Sequence, residues 1–173
     1  MQMKNKKLIA IIAILTVLTL SLGYINMKSV NKASGEEGMI GFVSGEGSAR
    51  LSFDEITGLG SKEFKAVEDT SASGPASRKF KGVLLKDVLN KISISDETIK
   101  SSSKIIVKGS DGYVIALSPD EVLADNGVYL AYEKNGKPLG NMKNGGSGPF
   151  QLIAVSDSFS QRWCKYVVEV VLE

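Results

Sequence analysis

The 173-residue sequence has no histidine and a single cysteine, Cys164. Without histidine, no Ser-His-Asp triad, Cys-His dyad or His-ligated zinc site can be assembled. A lone cysteine excludes an internal disulfide, a CxxC redox pair and a cysteine-rich metal cluster. Charge of one sign is also lacking: 21 Lys and Arg stand against 19 Asp and Glu, a net of +2. No internal repeat is visible. The length suits one domain of ordinary size.

What charge there is has an uneven distribution. Residues 1–33 hold five lysines and no acid, which leaves 16 basic against 19 acidic groups in residues 34–173. That remainder is mildly acidic, so nucleic-acid binding loses its compositional support. Lys4, Lys6 and Lys7 precede an uncharged run of 18 residues from Leu8 to Ile25. As a helix the run would reach roughly 27 Å, close to the hydrocarbon thickness of a bilayer. It is longer than a usual secretory apolar region, and no A-x-A site follows it. Residues 1–33 are therefore expected to be a transmembrane signal anchor plus linker, with a cleaved signal peptide as the alternative. The membrane would be the partner of residues 8–25. The lysine excess before the run orients the C-terminal domain, residues 34–173, outside the cytoplasm. Signal cleavage would instead make that domain a secreted one.

The rest of the chain mixes short strands and short helices. Met39–Val43 reads as a strand, and Ser52-Phe53-Asp54-Glu55 has the form of a capping box. Phe64–Val67 reads as a strand and Asp69–Ser77 as a turn-rich stretch. Leu85, Val88, Leu89 and Ile92 recur at helical spacing. Ile105–Val107 and Tyr113–Leu117 flank the turn Gly109-Ser110-Asp111-Gly112. Ser118-Pro119-Asp120-Glu121 starts another helix. Val128–Tyr132 leads into Asn135-Gly136, a strong hairpin signal. Asn144–Gly148 is a glycine-rich loop, and Phe150–Val155 and Tyr166–Leu172 are further strands. The expected class is α+β, mainly β, with antiparallel or mixed sheet.

Several of these segments carry a resemblance. Phe80-Lys81-Gly82-Val83-Leu84-Leu85-Lys86-Asp87-Val88-Leu89 resembles the W-x-G-V-x-L-x-D-L-L segment of the sulfite-oxidase type molybdopterin-binding domain. Ser110-Asp111-Gly112-Tyr113, with Leu117-Ser118 and Glu121, is similar to its D-G-Y stretch. Tyr129-Leu130-Ala131-Tyr132 with Asn135-Gly136 and Pro138-Leu139 resembles its hairpin. Gly148-Pro149-Phe150-Gln151-Leu152-Ile153 resembles G-x-P-x-R-l-v, and Arg162-Trp163-Cys164-Lys165-Tyr166 resembles r-x-V-K-W. The five occur in order over residues 39–173.

The resemblance implies a sulfite-oxidase molybdopterin-binding fold and a molybdopterin cofactor. It would place Lys165, Arg162 and Ser160 near that cofactor, where they would hold an anion or pterin ligand. Asp111 and Tyr113 would line the same cleft, and Gly146 and Gly148 would offer backbone N–H groups to phosphate. The sequence also departs from the family. The segment Val67–Ala72 lacks the cysteine that ligates molybdenum, and Gln151 replaces an arginine. Cys164 stands at a valine position of the closing motif. No catalytic residue and no metal ligand is assigned. The expectation is an extracytoplasmic domain, degenerate at the metal site, that serves as a binding or accessory module. The alternatives are a pterin-dependent oxidoreductase with a non-cysteine metal site and a cell-surface domain that binds an exported protein.

Overall fold

The computed structural model describes residues 38–70 and 74–173, together with Thr16. The anchor expected within residues 1–33 lies outside the described residues. Among those described, no helix is long and apolar enough to cross a membrane. Gly38–Glu173 forms one compact unit.

Its ten described strands are β1 (Ile40–Ser44), β2 (Gly47–Leu51), β3 (Lys62–Thr70), β4 (Gly74–Leu84), β5 (Ile105–Gly109), β6 (Val114–Leu117), β7 (Val128–Lys134), β8 (Lys137–Pro138), β9 (Gln151–Ala154) and β10 (Val167–Leu172). The helices are short: α1 (Phe53–Thr57), α2 (Leu85–Lys91), α3 (Asp96–Ser101) and α4 (Pro119–Leu123). One sheet has the order β2-β1-β10-β5-β6 and is mixed, because β1 and β10 run parallel. The other is antiparallel, in the order β3-β4-β7-β8, with β9 also paired to β7. The main core joins Phe42, Val107 and Val170 from the first sheet to Val83, Leu130 and Leu152 from the second, with Val88 and Leu89 of α2.

Local chemistry explains most of these elements. Ser52 and Ser118 each accept the N3 amide while Glu55 and Glu121 reach back to the cap, so both capping boxes form as expected. Asn135 and Gly136 both have positive φ, 53° and 75°, the geometry of a type I′ turn joining β7 to β8. β7 is buried from Val128 to Tyr132, which accounts for its unbroken apolar run.

Two expectations change. Asp69–Ser77 is not chiefly a turn: β3 and β4 stay paired as far as Thr70 and Gly74, leaving only residues 71–73 between them. Asp69 lies opposite Pro75, which has no N–H to give, so this pairing survives a residue that would break a donor site. Helix α3 was not legible because it buries one residue, Ile99, and so shows no periodicity. Its sign was the cap, where Ser95 Oγ accepts from the Thr98 amide at 3.2 Å.

Gly82 of the G-V motif has a steric reason. The β4–β7 register shifts between Lys81 and Gly82, and a Cβ at Gly82 would lie 2.6 Å from the Leu130 carbonyl oxygen and 2.8 Å from Ala131 Cα. A side chain there forces two central strands apart. Gly82→Ala is expected to lower stability by about 1–3 kcal/mol. Gly45→Ala, where nothing lies within 4 Å of a built Cβ, should change it little. Denaturant titration of both variants checks the contrast.

Candidate functional site

The segment from Asp157 to Tyr166 carries the chain from β9 of one sheet to β10 of the other. It contains the short 3₁₀ turn Ser160–Arg162. Three of the expected site residues, Ser160, Arg162 and Tyr113, meet around it. Ser160 Oγ accepts from the Asp69 amide at 2.8 Å and donates to the Asp69 carbonyl at 3.0 Å. Tyr113 donates its hydroxyl hydrogen to the Gln161 carbonyl at 2.7 Å. The guanidinium of Arg162 donates to Asp157 and to Glu121, the carboxylate that also closes the capping box of α4.

These bonds decide what each group has left to offer. The hydrogen bonds that Arg162 donates to Asp157 and Glu121 push its pKa further up, and the bond from Arg162 holds Glu121 below the usual carboxylate range. Arg162 is thus a cation already neutralised by two carboxylates. Asp111 is exposed and accepts the Tyr113 amide at 3.0 Å, an Asx turn that shapes the β5–β6 connection. Lys165 is exposed, and its ammonium has no ion-pair partner among the described residues.

The glycine-rich loop is closed on itself. The amides of Asn144 and Gly146 donate to the Asn141 carbonyl, that of Gly145 to Met142, that of Ser147 to Leu139 and that of Gly148 to Gly140. All five N–H groups expected to cradle phosphate have partners in their own loop. Gly146 is glycine because a Cβ would fall 2.4 Å from the Gly140 carbonyl oxygen; at Gly148 it would fall 2.8 Å from Leu139 Cβ. Tyr166 fastens the loop to the crossing segment, donating its hydroxyl to the Gly146 carbonyl at 2.6 Å and its amide to Ser147. It does so with a φ of 53°, a strained conformation for a tyrosine.

Cys164 is fully buried in the main core. Leu152 and Cys164 form an isolated antiparallel bridge, with the Leu152 amide donating to the Cys164 carbonyl at 2.7 Å. Its Sγ faces the Tyr113 carbonyl at 3.9 Å and the Lys165 carbonyl at 3.6 Å. Burial, helped by the negative charge of Asp111, pushes the thiol pKa up to about 12.

The second sheet has its own apolar cluster of Ala66, Phe80, Ala131, Leu139, Ile153 and Trp163. Phe64 stacks on Tyr129 with centroids 4.0 Å apart, and Trp163 meets Phe80 edge-on at 5.6 Å. Buried beside this cluster are two polar atoms without partners, Gln151 Oε1 and Trp163 Nε1. The sequence marked Gln151 only as a lost charge and Trp163 only as part of the closing motif. Nothing in it signalled that both would be orphaned.

The chain is similar to the crystal structure of the sulfane dehydrogenase SoxCD from Paracoccus pantotrophus, with a TM-score of 0.63 and 17% identity. The match covers 79% of this chain and 38% of that one, so the chain spans well under half of the matched protein. The family model for the oxidoreductase molybdopterin binding domain matches residues 53–173, and the chain belongs to that family. Curated protein sequences give no match.

The family suggests molybdopterin, but the donor set does not fit a thiolate-held molybdenum. The one thiol is inside the core and protonated at neutral pH. Among the described residues no cluster of three or more His, Cys, Asp or Glu side chains suits a metal ion.

Arg162 binds the crossing segment to α4, and its loss would leave two carboxylates facing each other. Arg162→Gln is expected to destabilise the domain by about 1–2 kcal/mol near neutral pH, since the guanidinium is partly solvated. The depressed Glu121 pKa makes its contribution full above the unfolded value, about 4.5, and lost as the pH falls through the lower folded value. The gap between wild type and variant should therefore narrow in acid. Urea titrations at neutral and acid pH measure it.

Proposed function

We propose that this chain is a molybdopterin-oxidoreductase-like domain that has lost its metal-ligand site and works as a binding or accessory module outside the cytoplasm. The observation that carries the reading is the place of Cys164. It is the chain's only thiol, and it packs between the two sheets with its pKa pushed up to about 12. A metal-ligating cysteine needs the opposite surroundings, accessible and electropositive.

The remaining site chemistry agrees with this reading. Ser160, Arg162, Tyr113 and the loop amides of Gly146 and Gly148 are engaged within the fold. Lys165 is the member of the set that keeps a free charge for an anionic group on a ligand or partner. Protein purified from a molybdopterin-competent host is expected to carry neither stoichiometric molybdenum by elemental analysis nor pterin fluorescence after denaturation. Stoichiometric molybdenum would overturn the loss of the metal site.

The apolar run Leu8–Ile25 and the lysine bias before it support anchoring of this module in a membrane. The full chain is expected in the membrane fraction after alkaline carbonate washing, with the C-terminal domain open to external protease. Release of an intact domain starting near residue 34 would instead indicate cleavage.

A further inference from the structure

The two orphaned atoms beside the second apolar cluster have complementary chemistry. Trp163 is 4% exposed and its indole N–H only donates; Gln151 is 2% exposed and its Oε1 only accepts. They share one face. Leu152 and Cys164 are bridged, and both point into the main core. Their neighbours therefore point the other way, as the membership of Ile153 and Trp163 in the second cluster shows. Gln151 pairs with Ala131 of β7, which belongs to that cluster too.

Extending the antiparallel register of that single bridge by one residue sets Ile153 opposite Trp163 and Gln151 diagonal to it. Diagonal pairs in antiparallel strands sit about 7–8 Å apart, within reach of side chains as long as these two. We propose that Gln151 Oε1 and Trp163 Nε1 are the two walls of an internal binding site for one water molecule. The water accepts from the indole and donates to the amide oxygen. Ordered internal waters occur where buried polar groups lack protein partners.

The surroundings select this ligand. Ala66, Phe80, Leu139 and Ile153 supply no charge, which disfavours an ion. Arg162, the cation next in sequence to Trp163, is held by Asp157 and Glu121. Water also suits the amide in either orientation, because it both donates and accepts. The site goes beyond the functional reading above and stands whether or not a cofactor binds.

Trp163 is the only tryptophan, so the full chain labelled with ¹⁵N-tryptophan gives a single indole signal. The expected result is a cross-relaxation peak between the indole proton and a long-lived water. That peak should vanish in Gln151→Met, which keeps side-chain length and removes the acceptor. No water peak in the unaltered protein would overturn the proposal, even if the variant failed to fold. So would exchange with bulk solvent alone, or a water peak unchanged in Gln151→Met.

Discussion

The passage from β9 to β10 has to leave one sheet and enter another, and a chain that leaves a sheet loses its ladder of backbone partners. The polar groups of residues 157–166 must be met one at a time. Tyr113, from the β5–β6 connection, meets the Gln161 carbonyl, while the side chains of Ser160, Arg162 and Tyr166 bond the segment outward to β3, α4 and the glycine-rich loop. The two sheets are sewn together at this crossing. Ser160, Tyr113 and Arg162, expected to line a binding cleft, are among the residues that make these stitches.

Bonds of this kind belong to the fold and make no demand on the chemistry of a cofactor. The family pattern is visible where it reports folding: Gly82 at a strand bulge, the capping boxes, the Asn135-Gly136 turn. It departs at Gln151 and in the segment Val67–Ala72, which lacks a cysteine. The second apolar cluster, with Trp163 edge-on to Phe80, is packed with side chains, and packing makes no demand for a thiolate or a guanidinium.

Legibility in the sequence followed the range of the interaction. The caps at Ser52 and Ser118 and the spacing of Leu85, Val88 and Leu89 are decided within four residues, and they were readable. The β3–β4 arm was missed because Asp69, Gly74 and Pro75 favour turns locally, while a strand register sustained over nine residues of β3 overrides them. Arg162 was read as a cation that could hold an anion; of its two carboxylate partners Asp157 is five positions away, but Glu121 is 41. The glycines of the 144–148 loop suggested a phosphate cradle, since composition cannot tell amides that face outward from amides that close on their own loop.

Ser160 also has a bearing on how the domain behaves among other chains. β3 is an outer strand of its sheet, and at Asp69 its backbone N–H and C=O turn away from β4. An outer strand with such groups open is a template on which a foreign strand can add. One hydroxyl fills both positions at Asp69 and sets the 3₁₀ turn where the incoming strand would have to lie. A connector between sheets therefore doubles as a guard against the growth of one of them.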